Sequence, residues 1–566
     1  MSHNLRSIAG EAPQTGPRGQ LAHAAALAQG QRLQPEFYQV GEHCWCFVGN
    51  GLSNQTFVRG PAGIIAIDTG ESVEEMGAAL AQLRRYTKDQ IVAVIYSHFH
   101  YVNGTAAILE EPQNKQVQIY AHQDIPANLA RFAGDTAPRY NRGLVHQFGT
   151  SLTDSGQDGL LHCGLGLFYR NPQHQPYTPG YLPAQHTFSD SLRTSMAGLQ
   201  VELQHAPSDA TDSITIWFPE LKLCVNNLVW PALFNVYAIR GEEYRDPRIL
   251  LAGLDHILSL QPQQLVGTHG PPLTEPGLEQ TVQIYRDSIQ LLWDQTVRGA
   301  NMGLTLAQLI EFVQLPALYD EHYLTQQLYG LAEHHVRQIY TGLFGWFDEY
   351  EGHLFELPGN ERAERCIVGF GGRDVVRQQA ETALQAGDYR WALELAAWLV
   401  HSADCTTQDQ NFMAELLRQV AYRTPSANLR NWCLTRAGEL AGEIDLTRHR
   451  QPRFSYRQVM AAPVERYVHA LRVLINPQLA SQLDHHIAWH FASAAQTGLH
   501  VRHGVAAPTD GRGADSIITL SQETWAEILS AQTTLAEAVE QGIVSIDGDL
   551  DLILRCFATF DLASLR

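Results

Sequence analysis

Along the chain the spacing of apolar positions changes from strand-like to helical and back, and the changes mark out domains. Between residues 36 and 275, short apolar runs alternate with turns: Cys44 to Val48, Gln55 to Val58, Gly63 to Asp68, Ile91 to Tyr96, Val117 to Ala121, Leu199 to His205, Ser213 to Phe218, Lys222 to Asn226 and Gln264 to Thr268. Such runs, bounded by turn formers, predict strands. Helical periods intervene at Val73 to Tyr86 and Pro247 to Leu260, so the block reads as α/β with its working loops at strand ends. Residues 134 to 190, rich in Gly, Pro and Gln, read as a long irregular insertion of the kind that forms lids.

From 276 to 445 the period is that of amphipathic helices: Leu278 to Arg298, Leu306 to Val313, Glu333 to Phe344, and the pair Asp374 to Gln385 and Tyr389 to His401 around Gly387. This is an all-helical middle domain. A Pro- and Arg-containing break at His449 to Arg453 precedes a last domain, 456 to 566, with strands at Ile487 to Phe491, Leu499 to Val505, Ser516 to Leu520 and Ile543 to Asp547 and helices between and after them. That domain reads as small α+β. Residues 1 to 35 lack sustained periodicity and read as an arm over another part of the chain or over a partner subunit. The expected fold class is multi-domain α/β.

Composition narrows the functions. Hydrophobic residues make up 45% and charged residues 17%, which excludes disorder and a coiled-coil rod. The 39 basic against 59 acidic residues leave a formal charge of −20, so no nucleic-acid partner is expected. No run approaches the roughly 18 apolar residues of a membrane span, and a cytoplasmic protein without membrane insertion is the expectation. The eight cysteines show neither zinc-knuckle spacing nor the density of a disulfide scaffold.

Chemistry concentrates after the strand Ile91 to Tyr96, which runs into Ser97-His98-Phe99-His100-Tyr101-Val102-Asn103-Gly104. Histidines at i and i+2 on extended backbone point to one side, where two imidazole nitrogens reach one cation. Asp68, closing the earlier strand Ile64 to Ile67, is placed to hold a ligand in orientation. Asp209 and Asp212 are carboxylates in the later turn Ser208 to Asp212. His122 and His205 lie near strand ends and read as satisfied structural histidines.

These residues, with Phe218-Pro219, Cys224-Val225-Asn226-Asn227, Arg240-Gly241, Arg245-Asp246-Pro247 and Thr268-His269-Gly270 in order, resemble the alkylsulfatase branch of the metallo-β-lactamase superfamily. The resemblance implies an αββα sandwich for 36–275, a helical dimerisation domain for 276–445 and a sterol-carrier-protein-like domain for 456–566. It further implies a homodimer that uses zinc to hydrolyse an organic sulfate, an amphiphilic small molecule, into sulfate and an alcohol. By position, His98 and His100 match two ligands of a first metal, Asp209 stands where the family has a glutamate, His269 matches a ligand of a second metal, and Arg240 matches a sulfate-gripping arginine. Tyr101 lies beside the metal loop, placed either to bond substrate or to pack.

Three positions depart from the family pattern. Its His-x-His-x-Asp-His loop has Val102 and Asn103 here, and a bridging glutamate is Asn227. A divalent ion depends on anionic ligands to offset its dehydration, so a single zinc is expected. Two histidines and one carboxylate are also the ligand set of non-haem iron oxygenases, which leaves iron and an oxidation or lyase step open. A non-catalytic lipid-binding scaffold is the third reading. In the last domain, Val501, Val505, Ile517, Ile518, Leu529, Leu552, Ile553 and Phe557 either line an alkyl cavity or fill a small core.

Overall fold

The computed structural model describes residues 12–114, 116–132, 134–447, 454–492 and 496–562. The break at 449–453 and the start of the arm lie outside them. The chain divides into two compact units, one reaching to Leu129 and resuming over Gly143–Ile444, the other comprising Ala130–Arg142 and the chain from Asp445 onward.

The first unit contains two sheets. The seven-stranded sheet runs Glu36–Val40, Cys44–Val48, Gln55–Gly60, Gly63–Ile67, Ile91–Ile95, Gln118–His122, His186–Phe188, an antiparallel meander that turns parallel from its fourth strand on. The six-stranded sheet runs Ser191–Met196, Leu199–His205, Ile214–Phe218, Leu223–Asn226, Gln264–Gly267, Leu273–Thr274. Alternate residues of both, among them Cys44, Cys46, Val48, Ile65, Ile67 and Ile95 facing Leu199, Val201, Leu203, Ile216, Phe218 and Val225, share one core. Burial raises the Cys44 thiol well above its usual range and pushes Cys46 up to about 12, so both stay protonated and inert. Helix Pro247–Leu260 covers the second sheet's outer side through Leu250, Leu254 and Ile257, and Val73–Leu83 buries Met76, Ala79, Leu80 and Leu83. The αββα sandwich is therefore realised.

The helices Leu278–Asn301, Leu306–Phe312, Ala332–Phe344, Gly359–Gly369, Arg373–Gln385, Tyr389–His401, Thr407–Arg423 and Ala427–Leu440 belong to the same unit. Leu324, Leu328 and Tyr329 share a core with Trp230, Leu250 and Leu278, which ties the helical region to the sandwich.

Two segments carry more order than their composition predicts. Within 134–190 lies a helix, Ala137–Phe148. Pro138 sits in its first turn, where no helical hydrogen bond is lost, and Gly143 is there for space, since a Cβ would come within 2.2 Å of the Arg240 carbonyl oxygen. In the arm, a helix at Ala24–Arg32 is capped by His23, whose Nδ1 accepts from the Ala25 N–H at 3.1 Å. The arm docks on its own chain, with the Gln29 amide donating to the carbonyls of Gly164 and Pro231.

In the second unit a five-stranded sheet runs Val505–Thr509, Thr497–Arg502, Asp484–Phe491, Ser516–Leu520, Ser545–Asp547. Val501, Ile518, Leu529, Ile553 and Phe557 pack with Trp489 and Trp525 into its core, whereas Val505 is exposed. These residues therefore fill a core.

Candidate metal centre

The site forms at the carboxyl ends of two parallel neighbours, Gly63–Ile67 and Ile91–Ile95. Asp68 closes the first with a left-handed backbone, φ 56°, and donates its N–H to the Ile95 carbonyl at 3.0 Å. Its carboxylate receives the Ser97 N–H at 2.8 Å and the Ser97 hydroxyl at 2.6 Å. Ser97 Oγ in turn lies 2.8 Å from His98 Nδ1. With its proton committed to Asp68, Oγ accepts from Nδ1–H, so His98 carries its lone pair on Nε2. That nitrogen is buried without a hydrogen-bond partner. Burial pushes Asp68 up to about 7 against the opposing Ser97 hydrogen bonds, and burial holds His98 well below the usual imidazole range.

A 3-10 turn, Phe99–Tyr101, then brings His100 round, and the loop between Leu199–His205 and Ile214–Phe218 supplies Asp209. Asp209 Oδ1 lies 4.0 Å from His98 Nε2, and Oδ2 lies 3.4 Å from His100 Nδ1. Burial alone would raise the Asp209 pKa; His98, His100 and Arg245 outweigh it and hold the carboxyl well below its usual range. One ligand atom from each of the three residues falls within 4.8 Å of the others, and among the described residues this is the group with metal-binding geometry. A tetrahedral ion with bonds of about 2.0–2.1 Å spaces its ligands roughly 3.4 Å apart. The pocket of two nitrogens and one carboxylate, with one nitrogen orphaned, fits one divalent cation.

Val102 and Asn103 are fixed through their backbones. Val102 is buried and bridges Gly70 through its backbone, and Asn103 spends its N–H on Gly70 O and its carbonyl on the Gly180 N–H. Asn227 accepts the Trp230 indole N–H on Oδ1 at 3.1 Å, which turns Nδ2 toward Asp209 Oδ1 at 2.7 Å, so an amide donor faces the carboxylate. His269 gives its Nδ1 proton to the Leu52 carbonyl at 2.9 Å and stands outside the three-residue group. The Tyr101 ring touches both sides, 5.0 Å from the ring of His98 and 5.5 Å from that of His269.

Arg240 is buried, and its Nε and Nη2 both meet Glu242 Oε1, at 3.1 and 3.0 Å. Arg245 shares that carboxylate at 3.4 Å and donates to the Asn235 carbonyl at 2.6 Å. His122 and His205 stack on each other at 4.2 Å and donate to the carbonyls of Ser189 and Thr211, as structural histidines do. Asp212 is buried outside the metal group, and burial pushes it up to about 7. Sequence reasoning misses Ser97, Gln147 and Tyr329. Tyr329 arrives from the helical region, takes a hydrogen bond from the Gln147 amide at 2.9 Å and packs against Trp230 at 5.8 Å. Only Ser97, standing between Asp68 and His98 in function and beside His98 in sequence, had a local signal.

Three family models match the chain. The metallo-β-lactamase superfamily model matches residues 48–225, the alkyl sulfatase dimerisation model 305–443 and the alkyl sulfatase C-terminal model 454–566. A linear primary-alkylsulfatase from Pseudomonas sp. is 31% identical over 523 residues, covering 88% of this chain and 98% of that one. An alkyl/aryl-sulfatase from Saccharomyces cerevisiae is 25% identical over 547 residues, covering 93% and 82%. The solved structure of a stereoselective inverting sec-alkylsulfatase from Pseudomonas sp. superposes with a TM-score of 0.82 at 23% identity, covering 98% of this chain and 92% of that one.

Proposed function

Since the chain belongs to the alkylsulfatase family of metallo-β-lactamase-fold enzymes, we propose that it hydrolyses an alkyl sulfate ester at a mononuclear centre held by His98, His100 and Asp209. The observation that carries the reading is the Asp68–Ser97–His98 hydrogen-bond chain, which leaves a buried, partnerless Nε2 facing a second imidazole and a carboxylate. Zinc suits two nitrogens and one oxygen, and a zinc ion with three protein ligands brings the pKa of a bound water to about 7. Iron suits the same donors, so the metal is assigned by analysis rather than by ligand type.

The chain's own residues do the rest. Asp68, through Ser97, fixes the His98 ring and its tautomer. Asn227 holds Asp209 in place by donating to it, and Trp230 fixes the amide of Asn227. Arg240 and Arg245, held together on Glu242, bring two guanidinium groups into the buried site and suit an anionic sulfate group. Aromatic walls, Tyr101, Trp230 and Tyr329, limit water at the site and suit an amphiphilic substrate. The helical region's match to a dimerisation family supports a homodimer. Metal content and sulfate release from decyl sulfate test the reading: one ion per chain, and release abolished in His98→Ala, are expected. Metal-free protein that releases no sulfate after zinc or iron is supplied would overturn it, and oxygen uptake by an iron-loaded sample would assign the oxidation chemistry instead.

A further inference from the structure

We propose that the N-terminal arm is a working part of the metal centre, and that Gln29 is the positioning residue through which it acts. The proposal rests on the mononuclear reading above and extends it to a segment outside all three family models, the first of which begins at residue 48. Gln29 lies on the helix Ala24–Arg32 and is 0% exposed. Its Nε2 donates to the Gly164 carbonyl at 2.9 Å and to the Pro231 carbonyl at 2.7 Å, while its Oε1 accepts from Arg32 Nη1 at 2.6 Å. Both polar atoms of the amide meet partners of the opposite sense, which fixes its orientation. The Arg32 guanidinium is itself held 4.1 Å over the Tyr323 ring.

Both carbonyls belong to the frame of the site. Proline has no backbone N–H, so its carbonyl is the one backbone group that Pro231 offers, and Gln29 takes it. One residue earlier, the Trp230 backbone N–H donates to the Tyr285 hydroxyl at 3.3 Å. The Trp230–Pro231 segment is thus held at both ends. From it the indole N–H reaches Asn227 Oδ1 at 3.1 Å, and Asn227 Nδ2 reaches Asp209 Oδ1 at 2.7 Å. Pro231 also presses on Gly270, the neighbour of His269, where an added Cβ would come within 2.6 Å of the proline. The Gly164 carbonyl ties in the opposite wall. Gly164 has φ 89°, and a Cβ there would meet Tyr329 Cδ2 at 2.5 Å; the Tyr329 ring in turn packs on Trp230 at 5.8 Å. One amide nitrogen therefore sets the spacing between the loop under Tyr329 and the turn that carries Trp230.

Hydrogen bonds and one peptide link thus connect the arm to a metal ligand. Without the Gln29 amide, two buried carbonyls lose their donor, and the backbone has to shift to satisfy them. A shift at Pro231 moves the indole of Trp230, and Asn227 restrains Asp209 only while that indole holds its Oδ1. Metal affinity follows, because groups behind a ligand set its orientation.

The test measures zinc affinity of the full chain by chelator competition, and the visible spectrum of the cobalt-loaded protein. Gln29→Met keeps the volume and removes the donors; it should bind zinc about tenfold more weakly, the low end for groups behind a metal ligand, and shift the cobalt bands. Gln29→Asn, one methylene too short for the two carbonyls, should do the same and carries the test if methionine prevents folding. Arg18→Ala cuts an arm bond made elsewhere, from Arg18 Nη2 to the Leu160 carbonyl at 2.9 Å. It should stay within about twofold of wild type with an unchanged spectrum. Trp230→Phe removes the indole N–H, and adding Gln29→Met to it should weaken zinc binding by less than about twofold further, because both act on one path. Affinity of the Gln29 variants within about twofold of wild type, an equal loss in Arg18→Ala, or Gln29 and Trp230 effects that multiply in full would overturn the proposal. Wild type that takes up neither zinc nor cobalt would instead remove the mononuclear reading, and this proposal with it.

Discussion

Removing one oxygen atom, in Ser97→Ala, tests the orientation of the metal centre. Ser97 Oγ is the link between Asp68 at 2.6 Å and His98 Nδ1 at 2.8 Å, and all three residues are buried. Alanine fits the space but strands one carboxylate oxygen and one imidazole N–H. Each buried polar group left unpaired costs about 1–3 kcal/mol, so the metal-free protein should lose roughly 2–4 kcal/mol once some water enters the gap. Metal affinity should fall separately, because the ring is no longer held with Nε2 forward. Loss of such an outer partner weakens binding about 10–100-fold, which is roughly 1.4–2.7 kcal/mol. Zinc competition against a chromophoric chelator reads the second effect and urea unfolding of metal-free protein the first. Ser97→Thr keeps the hydroxyl and should bind zinc within about threefold of wild type. Affinity in Ser97→Ala unchanged to within about twofold, alongside a lowered unfolding midpoint, would refute the orienting role and leave Ser97 a packing residue.

Other perturbations have equally definite signs. His335 is fully buried and its Nδ1 accepts the Tyr237 N–H at 3.2 Å, an arrangement only the neutral ring can make; burial holds it at about 3. The unfolded chain therefore binds the extra proton first as pH falls below about 6.5, and wild type should lose stability by up to about 1.4 kcal/mol per pH unit through this one group. Urea midpoints measured from pH 6.5 to 4.5 should show a shallower slope in His335→Asn, which keeps an acceptor and cannot titrate. Gly143→Ala forces a methyl into the Arg240 carbonyl and should cost about 1–3 kcal/mol, with a fall in sulfate-ester turnover that exceeds the loss of folded protein because Arg240 moves. Val102→Asp combined with Asn103→His and Asn227→Glu supplies the second ligand set that the sequence resemblance implies. Mass spectrometric metal analysis should rise from one to two ions per chain, while Asn227→Glu alone should stay at one.

The fold was legible wherever a strand is buried throughout. Cys44, Cys46 and Val48 point into the core between the sheets and Trp45 and Phe47 to the other face, all five buried, so the strand reads as a continuous apolar run rather than by alternation. It was illegible in Ala137–Phe148, because Pro138 and Gly143 look like breakers. One is harmless by position and the other is required by a backbone 97 residues away, at Arg240. The same divide runs through the site. His98 and His100 share a strand end, and Asp209 follows from a family position. The contribution of Asn227 inverts the simplest reading of its sequence: where the resemblance implies a ligand, the structure has a donor that restrains Asp209. Tyr329 had no signal at all, since what brings it to Trp230 is the packing of the helical region on the sandwich.

That inversion bears on how an acidic protein handles an anion. A net charge of −20 gives an unfavourable field for a sulfate ester at long range. Four acids of the site are correspondingly managed. Glu242 is shared by two arginines, Asp209 is countered by two imidazoles and an amide, and Asp68 and Asp212 are raised to about 7 by burial. A second set of anionic ligands, at Val102 and Asn227, would be tolerable only with a second cation to neutralise it. Without that cation, apolar and amide side chains are the substitutions that keep the pocket from repelling its substrate. Under the one-metal reading proposed above, Val102, Asn103 and Asn227 form a consistent set, since none of them adds an anionic charge to the pocket.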